Sequence, residues 1–290
     1  MNKLVIFGVG LIGGSVALAL KQAQAGTHIV GLGRSGEGLQ AALELGVIDV
    51  IATDPASALL DADMVLIAAP VAQTPIILTA IAPHLAGNTV VTDVGSTKSD
   101  VAVYASKILG EKSSQFVPGH PIAGAEKSGV HAARADLFEG KNVVLTPDAT
   151  TDSRAVDAVR ALWLSAGAQV SEMSAPSHDR IFAAVSHLPH LLAFALVDEI
   201  AARDNAAQLF DFAASGFRDF TRIAGSSPEM WRDISLANRD ALLHELGAYE
   251  AELARIRQLL QNADGAGLQA LFERASQARN LWQADNSKHK

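Results

Sequence analysis

Between an aliphatic run at residues 4–7 and a stretch with apolar residues at helical spacing lies Gly8-Val9-Gly10-Leu11-Ile12-Gly13. No other segment limits so narrowly what the chain can fold into. A Gly-x-Gly-x-x-Gly turn joins a strand to a helix: the first glycine makes the tight turn, the second keeps the main chain bare, and the third lets the helix lie close on the strand. The helix N-terminus then presents free N–H groups to an anion. Gly8, Gly10, Leu11, Ile12 and Gly13 are therefore expected to hold the pyrophosphate of a dinucleotide.

The alternation that starts there continues. Aliphatic runs recur at 28–32, 64–68, 89–93, 116–118, 142–145 and 169–172, with helical patterns between them and Pro55, Pro70, Pro83, Pro118 and Pro147 at their edges. This predicts βαβ units and a parallel sheet over residues 1–172. Beyond about Ser174 the β-branched runs cease and Ala, Leu, Glu, Arg and Gln dominate, so residues 173–285 are expected to be helical. Within them Ser227-Pro228-Glu229 has the composition of a helix start, and the helix is expected to reach about Gln261. The 290 residues suit two such domains: an α/β Rossmann domain and an all-α domain.

Cofactor choice falls to the end of the second strand, Leu32-Gly33-Arg34-Ser35, where an acidic residue would bind the ribose of NAD. No carboxylate stands there. Arg34 and Ser35 suit a 2′-phosphate and favour NADP; a solvated Arg34 beside NAD is the open alternative. Pro70, Asp93 and Gly95 follow other strand ends and are expected on the same cofactor edge.

Net charge is −8, so no overall basic field draws the chain to nucleic acid or anionic lipid. The absence of cysteine excludes disulfides and thiolate chemistry. The apolar start is broken by glycines and reads as strand and turn rather than a signal peptide, and no uninterrupted apolar run reaches the length of a membrane span. A cytoplasmic protein without membrane or nucleic-acid partners is expected.

Four further segments concentrate polar chemistry: 93–98 (DVGSTK), 119–129 (GHPIAGAEKSG), 186–190 (SHLPH) and 216–231 (GFRDFTRIAGSSPEMW). His187 and His190 share a helical face, but no acidic or third histidine partner lies at a metal-binding spacing. Together with GVGLIGGS at the start, these segments resemble the prephenate and arogenate dehydrogenase family in motif order from residue 1 to about 285. The resemblance implies hydride transfer to NAD(P) with loss of carbon dioxide, an active site between the domains, and a homodimer through the helical domain.

On the same resemblance His120 is the catalytic base, and Ser96 bonds the reacting hydroxyl and, as a residue of the cofactor site too, helps orient His120 and the nicotinamide. Arg222 binds a substrate carboxylate, His190 is a further substrate-binding histidine, and Trp231 shapes the pocket near the substrate side chain. Glu126, His187 and Asp219 match a polar network that gates access and holds the arginine. The chorismate mutase or regulatory modules often fused in the family have no room, so control is expected at the active site or through separate proteins. Two other readings share the glycine turn. A β-hydroxyacid dehydrogenase would need a lysine early in the helical domain, where residues 177–196 offer only Arg180; a non-catalytic dinucleotide sensor would bind nucleotide without turnover.

Overall fold

The computed structural model describes residues 1–125 and 127–287. They form two compact units that meet in sequence at Arg239 and Asp240. In the first, β1 (Lys3–Phe7), β2 (His28–Leu32), β3 (Val50–Ile51), β4 (Met64–Ile67), β5 (Val90–Asp93) and β6 (Phe116–Val117) pair in parallel in the order β3-β2-β1-β4-β5-β6. This is the doubly wound order that leaves a crevice beyond the carboxyl ends of β1 and β4. Helices α1 (Leu11–Gln22), α2 (Gly36–Glu44), α3 (Pro55–Leu59), α4 (Thr74–Ile81), α5 (Ser99–Leu109) and α6 (Ser153–Ser165) complete this part.

Both faces of the sheet are covered, which is why its strands are apolar without alternation. Leu4, Ile6 and Leu66 pack with Val16, Leu20 and Trp163 on one side; Val5, Phe7 and Ile67 pack with Leu78, Ile81 and Val101 on the other. The two-residue β3 is too short to show periodicity, and the sequence gives no sign of it.

The single parallel sheet expected to residue 172 is two sheets. Pro118 has no N–H to continue a ladder. The chain leaves β6 and begins a second, three-stranded sheet with β7 (Gly119–Pro121), β8 (Asn142–Leu145) and β9 (Gln169–Glu172). Strand β7 runs antiparallel to β8, and β8 parallel to β9. The redirection sets His120 just past the end of β5, where Gly119 N donates to Asp93 Oδ1 at 3.1 Å.

Beyond Ser174 the described residues form helices joined by short turns, with no strand among them. Helix α7 (Ala175–Phe182) runs through a π turn (Ala183–His187) into α8 (Leu188–Ala201), followed by α9 (Ala206–Asp211), α10 (Ser215–Thr221) and α11 (Pro228–Ala237). The stretch Ala175–Ala201 is long and apolar enough to cross a membrane by length and composition alone. It also carries His178, Asp179 and His187, exposed by only 0%, 6% and 1%, and these build the site described below.

Ser227 caps α11 as its sequence suggests, its Oγ accepting from Met230 N at 3.3 Å. The helix does not reach Gln261 in one piece. It stops at Asn238, whose side chain donates to Asp179 O at 2.7 Å and lies 3.1 Å from His187 Nδ1, and α12 (Arg239–Gln261) starts anew. In the second unit a turn with Ala263 at φ 47° leads to α13 (Gly265–Ser287). Leu253, Leu260, Phe272, Leu281 and Trp282 of this unit are exposed.

Candidate active site

Gly8 has φ +98° and donates to Leu32 O at 2.8 Å; a Cβ on it would stand 2.5 Å from Ala68 O. A Cβ on Gly13 would stand 2.3 Å from Gly8 O, so neither position tolerates a side chain. At Gly10 the same Cβ would meet nothing within 4 Å: the main chain there borders open space. Gly10 is also the N-cap of α1, with no capping side chain and no acidic residue in the first turn. The N–H groups of Leu11, Ile12 and Gly13 are thus the ones a helix leaves for an anion.

In front of them lies a cleft of about 610 Å³ whose walls include Gly8, Gly10, Leu32, Arg34, Ser35 and Pro70. The residues present fit a dinucleotide. Arg34 is exposed at this cleft, and Ser35 Oγ accepts Gly38 N at 3.1 Å as the cap of α2.

Asp93 and Gly95 do not line that cleft. Asp93 is 1% exposed, and its carboxylate is taken by the protein: Oδ2 accepts Lys98 Nζ at 2.5 Å and Gly95 N at 2.8 Å, Oδ1 accepts Gly119 N. Lys98, itself fully buried, also donates to Gly119 O at 2.7 Å. A buried charge persists only when paired and bonded. This knot fixes Gly119, and with it the base of His120, against the end of β5.

His120 is partly buried on β7. Its Nδ1 lies 2.9 Å from His178 Nε2, and His178 Nδ1 lies 2.8 Å from Asp179 Oδ1. The Phe182 ring packs on both histidines, at centroid distances of 4.9 and 4.4 Å. Burial first, then the neighbouring His178, Lys98 and His187, push the His120 pKa well below the usual histidine value. The ring is therefore neutral at pH 7 and able to accept a proton.

His187, on the π turn, is held by Asn238 and lowered to a pKa of about 4, chiefly by burial. The main chain of Ser96 lies beside it. The Ser96 hydroxyl makes no hydrogen bond to His120 among the described residues. A π turn displaces one residue from helical register and is common at functional sites.

His190 stacks on Trp231 at 3.7 Å, and His187 meets the same ring edge-on at 6.1 Å. His190 Nδ1 donates to Ser186 O at 2.9 Å, which leaves Nε2 as its acceptor. Burial and then the nearby charge of Arg222 lower its pKa. His187, His190 and Trp231 thus form one cluster, with the charge of Arg222 acting on His190 and His187 acting on His120.

Asp219 is exposed on α10 and makes no ion pair among the described residues, and His187 bonds Asn238. Glu126 lies outside the described residues. Lys98, His178, Asp179 and Asn238 belong to the site without having been singled out. Lys98 stood within a polar motif and His178-Asp179 are adjacent, but Asn238 leaves no signal because its partners lie 51 and 59 residues away.

A Rossmann cleft with a bare-glycine anion site, next to a buried neutral histidine and an arginine-bearing cluster, defines a nicotinamide-dinucleotide-dependent dehydrogenase. The comparisons agree. "Prephenate dehydrogenase, nucleotide-binding domain" matches residues 16–172 and "Prephenate dehydrogenase, dimerization domain" residues 174–274. Prephenate dehydrogenase of Bacillus subtilis (strain 168) is 42% identical over 96% of this chain and 76% of its own. Cyclohexadienyl dehydrogenase of Zymomonas mobilis is 34% identical over 98% and 97%. The crystal structure of prephenate dehydrogenase from A. aeolicus in complex with hydroxyphenyl propionate and NAD+ superposes with a TM-score of 0.90, 37% identity and coverage of 97% and 98%. The chain belongs to the prephenate dehydrogenase family.

Proposed function

We propose that the protein converts prephenate, arogenate or both to an aromatic product by oxidative decarboxylation, with NADP as the hydride acceptor. The observation that carries this reading is His120, held neutral past the end of β5, with His187 and the stacked His190 and Trp231 in the helical half and the charge of Arg222 near His190, which offers a base and a cation for a carboxylate. Bound nicotinamide supplies the site for the hydride.

The chain's own groups do the rest. His120 Nε2 takes the hydroxyl proton as the carbinol C–H bond breaks and its electron pair leaves as hydride. Ser96, on the loop after β5, orients that hydroxyl. Arg222 fixes a substrate carboxylate with its planar fork, and His190 with Trp231 frames the side chain. The bond from the ring to its carboxylate then breaks, carbon dioxide leaves, and the electron pair completes the aromatic ring.

NADP is favoured by Arg34 at the cleft and by the lack of a carboxylate at the end of β2, the first being Glu37 inside α2. The exposed apolar side chains of α12 and α13 support a homodimer through the helical domain. A cytoplasmic location accords with a soluble cofactor and substrate.

The test is turnover by the purified chain with prephenate or arogenate and NAD or NADP, read by nicotinamide absorbance and product analysis. Turnover of at least one acid, with the higher kcat/KM for NADP, is expected. Failure with both acids would overturn the reading, and a strong NAD preference its cofactor half.

A further inference from the structure

A histidine serves as a base only through the nitrogen that carries its lone pair, and a neutral imidazole has one such nitrogen. Free imidazoles in water favour the proton on Nε2. For His120 that tautomer would turn the lone pair inward, toward His178, and leave no acceptor on the outer nitrogen. The hydrogen-bond series behind His120 decides the matter.

The series starts at Asp179. Its Oδ1 accepts the main-chain N–H of Lys98 at 2.9 Å and its Oδ2 that of Ser99 at 2.8 Å, both at the start of α5. Burial alone would raise this carboxyl, but the bonds from His178, Ser99 and Lys98 outweigh it and hold the pKa at about 2. An ionised carboxylate accepts only, so in the 2.8 Å contact with His178 Nδ1 the ring is the donor. His178 is fully buried, and burial lowers its pKa, so it remains neutral. A neutral ring with its proton on Nδ1 has its lone pair on Nε2. That lone pair meets His120 Nδ1 at 2.9 Å, which must then be N–H.

The geometry points to His178, backed by Asp179, as a positioning residue that selects the tautomer of His120 with its lone pair on Nε2. This deepens the proposed function and rests on its reading of His120 as the base. Other charged groups face the pair. Lys98 disfavours a positive charge on either ring and His187 one on His120, while Asp93 and Asp179 oppose them only in part. A cationic His178 would donate from both nitrogens and reverse His120. Its burial at 0% exposure, beneath the Phe182 ring, works against that state.

Two measurements test the inference. In the full chain labelled with 15N-histidine at pH 7.5, nitrogen resonances assigned by difference with a His120→Gln sample should show His120 protonated on Nδ1 and bare on Nε2. The opposite assignment overturns it. In kinetics, His178→Leu, which removes the acceptor, should lower kcat by about 10- to 100-fold, less than the roughly 100- to 10,000-fold for losing the general base itself, with KM and cofactor Kd within about threefold. His178→Gln, whose side-chain oxygen can still accept from His120 Nδ1, should recover at least half of that loss on a logarithmic scale. Equal losses in the two variants, or more than half the kcat kept in His178→Leu, overturn it. Should His178→Leu fail to fold, the wild-type spectrum and the glutamine variant still decide. If wild type turns over neither acid, the proposed function fails, whereas the tautomer is read without any substrate.

Discussion

Arg222 begins the short turn after α10 and lies close enough to His190 for its charge to help lower that ring's pKa. If it grips a substrate carboxylate, Arg222→Ala removes a charge-assisted bond of roughly 1.5–3 kcal/mol, about one to two orders of magnitude in substrate affinity. Steady-state kinetics should show KM raised by that factor, while the cofactor Kd, measured by titration calorimetry, moves less than about threefold. A parallel loss of both would make Arg222 structural. At the other end of the site, Arg34→Asp removes the cation and sets a ribose acceptor at the end of β2. The ratio of kcat/KM for NADP to that for NAD should fall by at least about tenfold, as loss of one charged bond requires.

At the scale of the element, the loop from β5 to α5 joins two charge centres. Asp93 and Lys98 lock Gly119 beneath His120, and Asp179 reaches from α7 to the first N–H groups of α5. Lys98→Met would leave the Asp93 carboxylate buried beside two N–H groups and without its cation. Breaking a buried pair from one side costs about 3–5 kcal/mol. Urea denaturation should show a stability loss of that size, and a loss below about 1 kcal/mol would mean that water or a neighbour compensates. Asn238 has the same character: it ends α11 because its amide is engaged by Asp179 O and faces His187 Nδ1.

At the scale of the whole molecule, four buried or half-buried histidines are held neutral. His120, His178, His187 and His190 all have pKa values lowered by burial, His187 to about 4. The unfolded chain protonates these rings below about 6.5 and the folded chain does not, so the unfolded state binds more protons and stability falls as pH falls. The window opens near 6.5 and closes near the folded values. Between pH 7 and 5, His187 alone accounts for about 2 kcal/mol at 1.36 kcal/mol per pKa unit. Asp179, held at about 2, adds a loss only below its ordinary 3.8. Denaturation midpoints should drop accordingly from pH 7 to 5, and a flat profile would refute the buried neutral state. The second unit makes a separate prediction. Phe272, Leu281 and Trp282 are each exposed by more than half, and light scattering at micromolar concentration should give twice the mass of one chain.

What the sequence determined by itself is whatever local chemistry enforces. A tight turn that no side chain can enter had to be Gly8 and Gly13, and strands buried on both faces had to be apolar runs, so the Rossmann half and its dinucleotide turn were legible. The helical half was legible from propensity, and His120, His190, Trp231 and Arg222 from the company of their motifs. Tertiary structure decided the rest. Pro118 ends one sheet, but only packing against Asp93 directs the next strand so that His120 faces the site. Asp93 looked like a residue of the cofactor edge; its burial against Lys98 made it a structural anion instead. Asn238 lies in an unremarkable helical stretch, and Asp179 takes its role from partners 80 and 81 residues away. Hydrogen bonds between groups so distant leave no periodic trace in a chain, because they depend on which surfaces meet after each element has formed.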